Sequence, residues 1–239
     1  MFESLKADFI LNFVEGDRWK YLVDGLKNTL YITFVALLLG ILIGVLVAII
    51  RSTWDKGQES MHKGLGKTLL HILNDICKLY LTVIRGTPMV VQLMITYYII
   101  FANSNNGVGI AMLAFGINSG AYVAEIIRGG IMSIDNGQFE AGRSLGFNFA
   151  QTMLHIVVPQ ALKNVLPSLA NEFIVLLKET SVAGYVAVMD LTKAGDIIRG
   201  RTYSAFMPLI AVALIYLIMV IFFTWLVGKL ERRLRRNEH

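Results

Sequence analysis

Leu26 to Ile50 is almost entirely apolar, and about 20 such residues in a helix cross a bilayer. Comparable apolar regions recur over about 69–102, 109–134, 153–177 and 206–227. The pattern predicts an all-α integral membrane protein with five transmembrane helices in one domain over residues 1–239. Composition agrees. Hydrophobic residues make up 55% and charged residues 16%, with a mean hydropathy of +0.60, which leaves too little charge to cover a soluble globule. The net charge of +5 sits at the ends of apolar runs and forms no basic domain, so nucleic acid is excluded as a partner. The lone Cys77 rules out an internal disulfide and reads as a small buried side chain.

Details inside the runs set local expectations. Gly40 and Gly44 have the small-xxx-small spacing that lets helices approach closely. Arg51 marks the end of the first run, and Arg51 to Lys78 is polar and mixed in charge, with Gly64 to Thr68 reading as a loop that enters an amphipathic helix. Within it "GLGKT", Gly64 to Thr68, lacks the first glycine of a phosphate-binding loop, since that position is Met61, and no strand precedes it. Pro88 removes a helical hydrogen bond to Ile84, so a kink or break is expected there. Asn103 to Gly107 is a short turn, and Thr180 to Ser204 a longer polar connection.

Lysine and arginine placement gives the orientation. The tail holds Lys229, Arg232, Arg233, Arg235 and Arg236, and the first loop holds Arg51, Lys56, Lys63, Lys67 and Lys78. The turn at Asn103 has none. With five spans the C-terminus is cytoplasmic and the N-terminus outside; Lys193, Arg199 and Arg201 on the outer side depart mildly from the rule. The first 25 residues have no cleavable signal pattern, so the first run acts as an uncleaved membrane signal.

The stretch "NGQFEAGRSLGFNFAQTMLHIVVP", Asn136 to Pro159, breaks the apolar theme. Asp135 or Asn136 can cap a short helix, with Gln138 completing a weak capping box. Lipid burial cannot stabilise such a polar helix, which ends near Gly146. It is either a solvated connector or a surface offered to a soluble partner.

"EAGRSLG", followed nine residues later by "IVVP", resembles the EAA motif of ABC importer permeases. The match lies at Glu140, Ala141, Gly146, Ile156 and Pro159; Gly142 stands where Ala is usual and Val158 where Leu is usual. "RGTPMVVQ" (Arg85 to Gln92), "AYVAEIIRGGIMSIDNGQFEAG" and "NEFIVLLKETSV" (Asn171 to Val182) resemble the polar amino acid branch, and the likeness runs from Gly25 to Arg236. The resemblance implies the type I importer permease fold in a multi-pass protein of the bacterial cytoplasmic membrane. It implies a second permease copy or a related permease, two ABC ATPase subunits that bind ATP and Mg, and an extracytoplasmic solute-binding protein. This subunit would hold no cofactor itself and would not be an enzyme. A coupling helix is implied at about 137–148, with Glu140, Ala141, Gly142, Gly146, Ile156 and Pro159 as coupling residues. Glu140 would offer a charge to the ATPase, and Gly142 and Gly146 would allow close backbone approach.

Polar groups inside apolar spans are costly and therefore candidates for a substrate path. Asn118, Tyr122, Glu125 and Gly129 share one helical face. Asn164, Ser168, Asn171 and Lys178 form a second stripe, with Glu172 and Glu179 beside it. Such stripes offer a cation to the carboxylate of an amino acid and an anion to its amine. Arg85, Thr87 and Gln92 near Pro88 join the candidates. The alternative is internal pairing, of Glu125 with Arg128 and of Lys178 with Glu179. His62, His71 and His155 make no metal-ligand spacing, and no catalytic set stands out. A passive pore or secondary transporter would have no use for a coupling helix, and five spans form no even inverted repeat. The sequence names no single amino acid and does not choose between a homodimer and a heterodimer of permeases.

Overall fold

The computed structural model describes residues 2–58 and 64–235; Met61, His62, Lys63, Arg236 and the remaining tail lie outside the described residues. In chain order the helices are α1 (Phe2–Phe9), α2 (Trp19–Gly57), α3 (Leu65–Gly86), α4 (Met89–Ile95) and α5 (Gly107–Met132). They continue with α6 (Asn136–Ser144), α7 (Phe149–Thr152), α8 (Val158–Glu179), α9 (Leu191–Thr202) and α10 (Phe206–Arg235). No strand occurs among the described residues. Among the described residues three helices are long and apolar enough to cross a membrane: Trp19–Gly57, Gly107–Met132 and Phe206–Leu234. Leu65–Gly86 with Met89–Ile100 would make a fourth if the broken pair is one span. α8, over the expected run 153–177, carries Lys163, Glu172, Lys178 and Glu179 and does not join them on hydropathy alone.

One expectation about the first half is corrected and another is met. The first loop does not begin at Arg51: α2 continues to Gly57, 39 residues in all, and is about 58 Å long at ~1.5 Å per residue. Lys67 then donates to the carbonyl of Gln58 at 2.6 Å, satisfying an acceptor just past that end. Of the kink or break expected at Pro88, the structure has the break, with the flanking helices bent by 108°. Thr87 is extended at φ −122°, ψ 147°, because the proline ring excludes the helical conformation from the residue before it. Pro88, at φ −65°, leads into α4.

Residue contacts gather the chain into two units. The first comprises Met1–Ala36, Pro88–Phe115 and Phe173–Leu226. Its core joins Phe13, Leu22, Leu191, Ala194, Ile198 and Val212. Gly25 of α2 lies so close to the start of α9 that a β-carbon there would stand 2.7 Å from the carbonyl oxygen of Asp190. The contact is polar as well as tight: the Thr29 hydroxyl accepts from the Leu191 N–H at 3.0 Å, and Asn28 donates to the Met189 carbonyl at 2.8 Å. Asn12 is fully buried, accepting from the Thr202 hydroxyl at 2.8 Å and donating to Ser204 Oγ at 3.2 Å. The segment 180–204, expected as a connection, is therefore ordered: a 3-10 stretch, Thr180–Val186, precedes α9. Asp190 caps α9, accepting from the N–H groups of Thr192 (2.9 Å) and Lys193 (3.0 Å). Burial pushes the Asp190 carboxyl above its ordinary range, against the opposing pull of these donors.

The second unit comprises Leu37–Thr87, Gly116–Glu172 and Val227–His239. Gly40 and Gly44 do what their spacing predicts. A β-carbon on Gly40 would stand 3.0 Å from Ser119, and one on Gly44 would stand 2.5 Å from Val123, so α2 and α5 touch along this stripe. Val47, Cys77, Leu81, Ala121 and Ala124 form the adjoining core, with Cys77 buried as expected. Tyr80 donates to the carbonyl of Ile117 at 2.6 Å. A second core, Ile131, Ile134, Phe139, Val157 and Ala161, seats α6 against α5 and α8.

Candidate functional site

The polar stretch forms α6, two short helices' worth of turns and the start of α8. Asp135 is the N-cap of α6, its carboxylate accepting from the Gly137 N–H at 2.6 Å. Gln138 does not close the expected capping box; its side-chain oxygen accepts from Gln160 at 3.2 Å. A complete box stands one helix later, between Asn148 and Gln151, with both bonds at 2.9 Å. The signal for it, Asn three residues before Gln, was visible in the sequence.

Gly146 ends α6 in a Schellman motif. Its φ is +79°, its N–H reaches the Arg143 carbonyl at 2.9 Å, and the Phe147 N–H reaches the Gly142 carbonyl at 3.0 Å. Space around Gly146 is open, so the glycine serves the left-handed backbone. Gly142 has the opposite reason. It is buried, and a methyl group there would come within 2.6 Å of Thr152 Oγ1 and 2.7 Å of Thr152 Cγ2. The close approach that Gly142 permits is thus to α7 of its own chain. Glu140, Ala141, Arg143, Ser144 and Leu145 are exposed, and Leu145 stands 71% exposed. Ile156 is half-buried. Pro159 is exposed in the first turn of α8, where its missing N–H costs least. A π-helical stretch, Met153–Val157, precedes it and joins α7 to α8.

Beside α6 lies an open cavity of about 730 Å³. Asp55 and Lys56 from the end of α2 line it with Asn136, Phe139, Glu140 and Arg143 of α6, and with Phe147, Asn148, Phe149 and Thr152. Lys56 donates to Asn136 Oδ1 at 2.7 Å, and its ammonium lies 5.0 Å from the centre of the Phe139 ring. Asp55, Lys56, Phe139 and Thr152 were missed as site residues, because a helix taken to end at Arg51 cannot carry side chains this far.

On α5 the expected polar face exists. Asn118 is buried, Tyr122 and Glu125 are half-buried, and Gly129 is exposed. Glu125 takes two hydrogen bonds from Arg128, at 3.3 Å from Nε and 3.1 Å from Nη2, with Arg85 at 3.8 Å. The Arg85 guanidinium lies 5.6 Å from the centre of the Tyr122 ring. Internal pairing of Glu125 is therefore present. Arg128 also reaches Asp55 at 3.3 Å. Glu172 is buried and accepts from the Ser119 hydroxyl at 2.9 Å, joining the second stripe to α5. Ser168 and Asn171 are exposed, and Asn164 donates to Ser133 Oγ at 3.3 Å. Thr87 is exposed, its hydroxyl donating to the Val83 carbonyl at 2.8 Å. Gln92, half-buried, and Lys178, exposed, belong to the other unit. His71 stacks on Trp54, and His155 lies against Phe147 with Nδ1 3.0 Å from the Gln151 carbonyl. Among the described residues no group of three or more His, Cys, Asp or Glu could hold a metal ion.

Among the described residues the chain is all-helical, with apolar spans and a capped polar helix beside a charged cavity, the layout of a membrane transport subunit. Residues 66–236 match the model of the binding-protein-dependent transport system inner membrane component, and the chain belongs to that family of ABC transporter permeases. It is 34% identical over 221 residues to a putative glutamine transport system permease of Rickettsia bellii, covering 90% of this chain and 93% of the relative. A probable glutamine ABC transporter permease of Bacillus subtilis is 36% identical over 226 residues, covering 92% and 96%. The glutamine transport system permease of Escherichia coli K12 is 34% identical over 220 residues, covering 90% and 93%. Among solved structures, an amino acid ABC transporter crystallised with histidines superposes with a TM-score of 0.79 at 39% identity, covering 90% of this chain and 94% of that one. An inward-facing methionine ABC transporter shares the fold at a TM-score of 0.76 and 20% identity, covering 92% and 99%.

Proposed function

We propose that this chain is the permease subunit of an ABC importer that carries polar amino acids, glutamine among them, across the bacterial cytoplasmic membrane. The energy comes from ATP hydrolysed with Mg on a separate ATPase, and α6 is the coupling helix that docks on it. An extracytoplasmic solute-binding protein delivers the amino acid. A second copy of this chain, or a related permease, completes the channel. The chain runs as one domain with five spans, counting α8 as the fourth, with its N-terminus outside and its C-terminus in the cytoplasm. The observation that carries the reading is α6: a short polar helix, capped at both ends, seated through Phe139 and presenting Glu140, Ala141, Ser144 and Leu145 outward. Asn118, Tyr122, Glu125, Ser168, Asn171 and Glu172, with Thr87, Gln92 and Lys178, are the candidates for the substrate path.

The reading is tested by co-expressing the chain with its companion ATPase and solute-binding protein and reconstituting the complex in liposomes. ATP-dependent uptake of glutamine above that of glutamate, arginine and histidine is the expected result. Uptake that proceeds without ATP would place the chain among passive carriers, and the proposal would fail.

A further inference from the structure

Asp55 and Lys56 are neighbours in sequence at the last turn of α2, yet they face two different elements. Lys56 grips α6 twice, through its hydrogen bond to Asn136 at 2.7 Å and its ammonium over the Phe139 ring at 5.0 Å. Asp55 faces α5, where Arg128 reaches it at 3.3 Å. Arg128 in turn holds Glu125 through both Nε and Nη2. Two sets of contacts, Lys56 to α6 and Asp55 through Arg128 to Glu125 of α5, thus meet at adjacent residues of α2, all within the second unit. Arg51, one turn back on α2, lies 3.9 Å from Asp55 and donates to Asn74 Oδ1 of α3 at 2.8 Å, which fixes the bracket from behind.

The Lys56–Asn136 bond is exposed, but exposure separates the Asp55–Arg128–Glu125 contacts from an ordinary surface pair. The side chains of Asp55, Arg128 and Glu125 are 26%, 28% and 25% exposed, whereas the Lys20–Asp17 pair is 58% and 61% exposed. Exposed pairs contribute little, because water and salt screen them. Half-buried, multiply bonded charges hold their geometry, since breaking one leaves its partner unsatisfied. A backbone step of one residue in α2 therefore links the position of α6 to the position of the Glu125 carboxylate.

We propose that Asp55 and Lys56 form a transmission bracket, and that Asp55, Lys56 and Arg128 are positioning residues through which movement of the coupling helix α6 reaches the Glu125 face of α5. The inference rests on reading α6 as the ATPase-docking helix. The alternative, that α6 acts on α5 only through its apolar seat of Phe139, Ile131 and Ile134, makes no use of these charges.

The test uses the full permease–ATPase complex in liposomes and reads ATP hydrolysed per glutamine transported. Lys56→Gln keeps a polar side chain but loses the ammonium that rests on Phe139. It is expected to raise that ratio at least about fivefold, the lower end of the usual range for coupling between sites, while the ATPase still co-purifies. Lys56→Arg, which keeps a cation and N–H donors, is expected to restore the parent ratio. Asp55→Asn should raise the ratio similarly, and the Lys56→Gln/Asp55→Asn double variant should be no worse than either single one, because both lie on one path. An unchanged ratio in Lys56→Gln, or effects of the two changes that multiply, would overturn the bracket while leaving ATPase docking on α6 untouched. Loss of docking in the parent complex would instead remove the reading beneath it.

Discussion

Gly142 stands where the EAA motif it resembles usually has alanine, and the structure turns that difference into a measurable quantity. A β-carbon built on Gly142 meets Thr152 three times, at 2.6 Å (Oγ1), 2.7 Å (Cγ2) and 3.1 Å (Cβ). Rotation about χ1 of Thr152 can turn only one of the first two atoms away, since either other rotamer still presents Oγ1 or Cγ2 to Gly142, and the Cβ contact stays. The side chain is also held by its own hydrogen bond to the Asn148 carbonyl at 3.1 Å, and it is 2% exposed. Overpacking costs about 1–3 kcal/mol, and three contacts at 3.1 Å or less put this site at about 2–3 kcal/mol. Alanine recovers about 1 kcal/mol through its better helix propensity. Gly142→Ala is therefore expected to destabilise the chain by about 1–2 kcal/mol net, a fall in Tm of roughly 2–8 °C for a protein of this size. Thr152→Ala deletes the two nearest atoms and should cancel most of that cost, giving a favourable interaction of about 1–2 kcal/mol in a double-mutant cycle. Thermal unfolding of the four purified proteins in detergent, followed by tryptophan fluorescence, measures all the terms. If Gly142→Ala melts with the parent, or if the Thr152→Ala background gives no rescue, the packing argument for this glycine is wrong.

Three further outcomes are expected. Gly146→Leu should cost about 1–2 kcal/mol through its left-handed backbone alone, and Gly146→Asn distinctly less, as read by Tm and by co-purification of the ATPase. Asp190→Ala should lose about 1 kcal/mol of α9 capping, while Asp190→Asn keeps an acceptor for Thr192 and Lys193. Because burial raises the folded-state value of Asp190, its contribution is complete below the ordinary value of 3.8 and declines as pH rises through the raised one. Melting curves across pH should accordingly show the parent, but not Asp190→Asn, losing stability over that window. Finally, an impermeant thiol reagent applied from outside to a Cys77→Ser background should label a cysteine at Asn105 and spare one at Asn237; the reverse pattern would overturn the five-span orientation.

The parts of this fold that follow from one helix's own composition were legible in the sequence. The apolar runs, the Gly40/Gly44 stripe, the break at Pro88 and the cap at Asp135 each depend on residues a few positions apart. What was not legible depends on who the neighbour is. Gly142 read as room for an outside partner, because nothing in the sequence places Thr152 against it. Gly146 read the same way, although its cause is a φ of +79° at a helix end, and Gly after a short polar helix was the available clue. Asp55 and Lys56 were hidden by an early helix stop at Arg51: a charge after a long apolar run marks where lipid ends, which is not where hydrogen bonding along the backbone ends. The helix α9 was lost for a related reason. Its pattern is too polar to stand out beside membrane spans, although Asp190 before an amphipathic segment signalled its start.

The hydrogen bonds of the first unit also dictate an order of manufacture. Asn12 and Thr29 leave the ribosome early, but the groups that satisfy them, Thr202 and the Leu191 N–H, arrive 190 and 162 residues later. At roughly 5–20 residues per second, the first helix waits on the order of ten seconds or more with buried-type polar groups uncovered. During that wait water, lipid headgroups or an insertase must stand in for α9. A ribosome stalled before residue 191 would therefore leave a threaded but unfinished chain, and this is the species that membrane quality-control proteases would meet first.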